Sequence, residues 1–99
     1  MPPYRFRVRT TQQADDQLLD LWVNHPALRN AITRAGNNID PVLGQGPPNQ
    51  GSPCPTPGYP ARREIVIFPL VVAFEYAANG LEVVVTEMTL AAPPPYSPP

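Results

Sequence analysis

Every basic side chain of this 99-residue chain is an arginine, and the positions of those seven arginines limit the chemistry open to it. Arg62 and Arg63 are adjacent at the start of a predicted strand. Guanidinium groups match phosphate oxygens bidentately, so the pair can grip a nucleic-acid phosphate. The plainer reading is strand-start charge that discourages edge-to-edge pairing. Arg5, Arg7 and Arg9 alternate along the chain, which suits either a basic stripe or the solvated outer face of one strand. His25 is the only histidine. It precedes Pro26 with no Ser or Cys nucleophile in a recognisable pattern, and reads as a helix-end residue near the negative pole of a dipole. Asp16 and Asp20 share a helix face at the spacing of metal-binding carboxylates, but no His or Glu completes a ligand set. Cys54 lies in a Pro-rich stretch as a spectator thiol. Gly44-Gln45-Gly46 lacks the Lys-Ser/Thr of a phosphate loop. Pro93-Pro94-Pro95-Tyr96 has the form read by WW domains, a four-residue match that arises easily in a Pro-rich tail.

Composition narrows the classes further. A formal net charge of −1 argues against bulk attraction to nucleic acid or anionic membranes. A single cysteine excludes an intramolecular disulfide. No apolar run approaches the roughly 20 residues needed to span a bilayer. The opening residues lack the apolar core of a secretory signal, so a cytoplasmic location is the default expectation. No cofactor or metal is called for. Hydrophobic content of 42% suffices for one core. Sixteen prolines are concentrated in the loop 44–60 and the tail 91–99, which is expected to be disordered. The segments 4–43 and 61–90 that remain are of a size at which one core contributes only a few kcal/mol.

Elements to position these residues can be read from periodicity. Tyr4, Phe6 and Val8 alternate with arginines as a half-buried strand. Thr10 and Gln13 suggest a capping box opening a helix over 12–24, with Ala14, Leu18, Leu21 and Trp22 as its apolar stripe. Trp22 is expected in the core. Pro26 suits the first turn of a second helix, in which Leu28, Ala31, Ile32, Ala35 and Ile39 repeat at helical spacing. Asp40-Pro41 is expected to break or kink it. Three strands follow, reversing at Pro69 and then at Asn79-Gly80, where a tight type I′ turn flanked by Tyr76 and Leu81 is expected. The predicted fold is α+β, in the order β-α-α-β-β-β. A mainly antiparallel four-stranded sheet packs on a two-helix hairpin on one face. Apolar residues of both parities, among them Val71, Ala73 and Val84, with Thr86, predict a second sheet face that needs cover from the loop, the tail or another chain.

Residues 4–90 resemble the RelE/ParE superfamily of bacterial toxins (plasmid-stabilisation proteins). The carriers are the strand YRFRVR, the helices ADDQLLDLW and RNAITRAGNNIDPVL, a Pro/Gly-containing loop, Arg62-Arg63 opening a strand, PLVVAFEY and LEVVVTEM. The resemblance implies one domain over residues 1–90 and the toxin half of a type II toxin–antitoxin pair, neutralised by a cognate antitoxin. Val71, Ala73, Val84 and Thr86 are the expected partner contacts. It further implies either ribosome-dependent mRNA cleavage or poisoning of DNA gyrase. Nuclease members use Lys and Arg on the middle strands and a Tyr or His after the last. Here only Arg62 and Arg63 match basic positions, with Tyr96 as a substitute in the tail, so the catalytic set is incomplete. The expectation is therefore gyrase-type action by protein contact or a degenerate toxin. The alternatives are an mRNA interferase using Arg62 and Arg63, and a non-toxic interaction module of the same fold.

Overall fold

Phe6 and Val8 turn inward as their alternation predicts, and the computed structural model, which describes residues 5–91, opens with strand β1 at Arg7–Thr10. Tyr4 and the tail beyond Ala91, including Tyr96, lie outside the described residues. Helix α1 spans Gln12–Asn24. Its cap is Thr11 rather than Thr10: the Thr11 hydroxyl accepts from the Ala14 amide at 3.2 Å. Thr10 instead donates to the Asp15 carboxylate at 2.8 Å. A 3-10 turn at Pro26–Leu28 leads into helix α2, Arg29–Gln45.

Helix α2 runs through Pro41 instead of breaking there. The amide lost at Pro41 would have bonded the Asn37 carbonyl, and both residues are exposed, so water can replace it. The next turn is meanwhile held from the other side. Leu43 is fully buried, and the Gly44 carbonyl accepts from the Arg5 and Phe6 amides at 2.7 and 2.9 Å. The first two residues of the expected loop thus belong to the helix.

The remaining strands are β2 (Ser52–Pro53), β3 (Arg63–Ile67), β4 (Leu70–Tyr76) and β5 (Glu82–Leu90). They form a five-stranded sheet in the order β1-β5-β4-β3-β2, with β1 parallel to β5 and the other pairs antiparallel. The α+β class and the one-sided helix pair agree with expectation. The sheet is mainly antiparallel as expected, with β1–β5 its parallel pair, and gains β2 as a fifth strand from within the Pro-rich loop. The Asn79-Gly80 reversal is wider than a two-residue turn: Tyr76 pairs with Val83, and only Gly80 adopts positive φ, at 72°. The Gly80 amide closes the turn onto the Ala77 carbonyl.

The core fills the space between the helices and one sheet face. Ala14, Ile32, Ala35, Ile39 and Leu43 meet Leu70, Val72, Phe74, Val83, Val85 and Met88, with Phe6 closing one end. Trp22 is not among them. It is 39% exposed on the outside of the helix pair, where its indole N–H donates to Thr33 at 3.2 Å. Arg29 lies 4.3 Å over its ring and donates to the Trp22 and Val23 carbonyls, capping α1.

Candidate functional site

Strand register decides what the second sheet face presents. Glu64 on β3 pairs with Ala73 on β4, and Ala73 pairs with Glu87 on β5. Alternation puts all three on the face away from the helices, two carboxylates on either side of a methyl group. The Arg62 guanidinium spans this gap. One nitrogen lies 3.0 Å from Glu64 and the other 2.7 Å from Glu87. The first also donates to the Cys54 carbonyl at 3.4 Å and lies 3.3 Å from its sulfur. Burial would lower the Arg62 pKa, but the hydrogen bond to Glu87 and the charges of Glu64 and Glu87 outweigh it and raise it above arginine's usual value. Arg62 is thus permanently charged and internally neutralised.

Arg63 faces the other side of the sheet edge and is occupied as well. It donates to the carbonyls of Asn49, Gln50 and Gly51 at 2.9, 2.8 and 3.2 Å. Asn49 and Gly51 have φ of 64° and 72°, the left-handed turns that aim these carbonyls at one point. Gln50 then ties the loop to the core, its amide donating to the Tyr76 hydroxyl at 3.1 Å and its side chain to the Val42 carbonyl at 2.6 Å. Adjacent in sequence, the two arginines clamp different structures.

Thr86 is the residue left over where the β4–β5 register shifts between Ala73 and Phe74, a β-bulge. Beyond it β1 has ended, and α1 takes over the strand edge. The Thr11 amide donates to Val85 at 3.0 Å, and Gln17 accepts from the Met88 amide at 2.7 Å. The loop after β2 returns over the second face, so that Gln13, Thr56, Tyr59, Arg62, Thr86 and Glu87 line one cavity of about 150 Å³.

Of the expected contact residues, Ala73 is 2% exposed beneath Arg62, while Val71, Val84 and Thr86 are half-buried. The face is therefore not the apolar surface expected from the sequence. Charged pairs cross it, including Arg9 with Glu82 at 3.4 Å, and its own loop covers part of it. Its exposed apolar positions lie at the far end, at Val66 and the Phe68 turn.

The other candidates fall apart spatially. His25 caps α1, its Nδ1 donating to the Leu21 carbonyl at 2.9 Å, which is the helix-end role expected of it. Asp16 is exposed and accepts from Gln12. Cys54 sits behind Arg62. A larger apolar groove of about 520 Å³ runs outside the core between the helices, lined by Leu18, Leu19, Trp22, Ile32 and Gly36 with Asp15 at its rim. Nothing in the single sequence pointed to it, because Leu18, Trp22 and Ile32 read as parts of core stripes. Among the described residues no helix is long and apolar enough to cross a membrane.

No family model matches the chain, and no curated protein matches it in sequence. Solved structures do. A chain of the RelBE2 toxin–antitoxin complex from Mycobacterium tuberculosis superposes with a TM-score of 0.69 at 18% identity, over 94% of this chain and 97% of that one. A chain of the chromosomal ParDE toxin–antitoxin system from P. aeruginosa gives 0.62 at 18% identity, over 89% and 98%. This chain shares its fold with both.

Proposed function

We propose that this chain is the toxin of a type II toxin–antitoxin pair, neutralised by a cognate antitoxin, and that it acts by protein contact, in the gyrase-poisoning manner, rather than by cutting RNA. The toxin reading rests on a fold shared over nearly the whole length with chains from two toxin–antitoxin systems. The observation that carries the mode of action is the closure of Arg62 between Glu64 and Glu87. A phosphate arriving there would have to displace two carboxylates. Arg63 is committed to three backbone carbonyls on the other side of the sheet edge. Neither pre-organises a site for the charge of a pentacoordinate phosphate.

The groove between α1 and α2 fits an amphipathic helix of the antitoxin, a recurrent mode of capture. Leu19, 60% exposed, and Trp22 are its apolar anchors, and Asp15, Asp16 and Asp20 along α1 favour basic residues flanking that helix.

Induction in bacteria, paired with a cell-free translation assay, tests this reading. Growth arrest without ribosome-dependent mRNA cuts is the expected result. Cuts that vanish in the Arg62→Ala, Arg63→Ala double variant, with its fold retained, would overturn the contact mechanism. Unimpaired growth at good expression would overturn toxicity itself.

A further inference from the structure

We infer that the chain's own Pro-rich tail, residues 92–99, folds back over α1 and seats Tyr96 in the groove between the helices. Gln17 and Leu21 mark the side of α1 toward β5 and the core, and Leu18 and Trp22 the side toward the groove. Around the outside, between those two lines, helical spacing places Val23 and Leu19, which are 50% and 60% exposed. These apolar side chains make a path across α1 from the edge of β5 to Trp22.

The described chain ends at the start of that path. Gln17 accepts from the Met88 amide, three residues before Ala91, and Leu90 packs on the same core as Leu21. Half the circumference of a helix with its side chains is roughly 16–19 Å. Tyr96 is five residues beyond Ala91, about 16 Å in the polyproline II conformation that Pro93-Pro94-Pro95 favours. Pro-rich segments dock in grooves lined by aromatic rings, because their conformation is set in advance and little order is lost. Trp22 supplies the ring here, and Thr33 and Asn37 across the groove supply polar groups for the tail's carbonyls.

Charge selects the tail over a second copy of the chain. Residues 92–99 carry no charged side chain and cross Asp16 and Asp20 without repulsion, whereas a second α1 would bring three aspartates against three. A short tether also holds the tail at an effective concentration of about 1 mM, so a contact with a dissociation constant of about 0.1 mM is roughly nine-tenths occupied. Docking rests on no functional reading; its consequence, that an antitoxin helix must displace the tail, rests on the groove proposed for that helix.

The test uses the isolated full chain, so failure of the toxin reading does not touch it. A nitroxide is attached at Pro99→Cys in a Cys54→Ser background, and its broadening of the amide signals is mapped. The docked tail should broaden Leu18, Trp22, Thr33 and Gly36, to an extent unchanged on dilution. Tyr96→Ala should abolish that pattern and red-shift the emission of Trp22, the only tryptophan. Leu19→Ser, on the path, should lower the docking constant roughly five- to tenfold, the contact of one leucine. Broadening centred on the Phe68 turn, where Ala91 bonds the Pro69 carbonyl, is the pattern of a tail that does not dock. That pattern, broadening that fades on dilution, or Trp22 emission unchanged in Tyr96→Ala would each overturn the proposal.

Discussion

Replacing Arg62 by Ala separates a structural arginine from a substrate-binding one. Its side chain is 12% exposed and joins β3 to β5 across Ala73, while also holding the Cys54 loop. Removing one partner of a fully buried ion pair costs about 3–5 kcal/mol. Glu64 and Glu87 are 34% and 38% exposed and regain water, so the cost here is discounted to about 2 kcal/mol. For a domain of this size that is a fall in Tm of roughly 8–16 °C. The stranded carboxylates sit two strands apart, and neutralising both should return about half of the loss. Urea and thermal unfolding of Arg62→Ala, and of the triple variant that adds Glu64→Gln and Glu87→Gln, would measure this. Stability within about 0.5 kcal/mol of the parent, the ordinary range for surface changes, would refute the clamp and return Arg62 to the phosphate-binding candidates.

Arg63→Ala should loosen the turn at Asn49–Gly51, with faster amide exchange at Gln50 and a stability loss of about 1 kcal/mol, since three backbone carbonyls regain water as the guanidinium leaves. Gly36→Ala in α2 should stabilise the fold by about 0.5–1 kcal/mol in chemical unfolding. A Cβ there meets only the end of Leu18, at 3.6 Å, and the helix loses one of its two glycines.

What the sequence disclosed follows from the range over which each signal acts. Helix α1 was legible to both ends because its stripe, its acidic first turn and a threonine cap are all local, and only the choice between Thr10 and Thr11 depended on a contact, the Asp15 bond that draws Thr10 away. Pro41 misled because a helix-breaking residue was weighed without knowing which face it occupied. Trp22 misled in the opposite sense: it lies at helical spacing from Leu18, yet the Arg29 cap draws it to the outer rim. The partners of the arginine pair were hidden for a longer-range reason. Glu64 lies two residues from Arg62 and so shares its face, which the sequence could have shown. With Val85 in the core, Glu87 reaches the same spot only because Thr86 bulges. With unbroken pairing from the Val72–Met88 end, Phe74 would stand opposite Thr86 and Glu75 opposite Val85, turning Val85 away from the core it now fills. The bulge that keeps Val85 in the core therefore also lets Glu87 close on Arg62. A single extra residue sets both the packing of one sheet face and the charge of the other, and it explains why Arg62, one of two arginines at a strand start, ends outnumbered by carboxylates there.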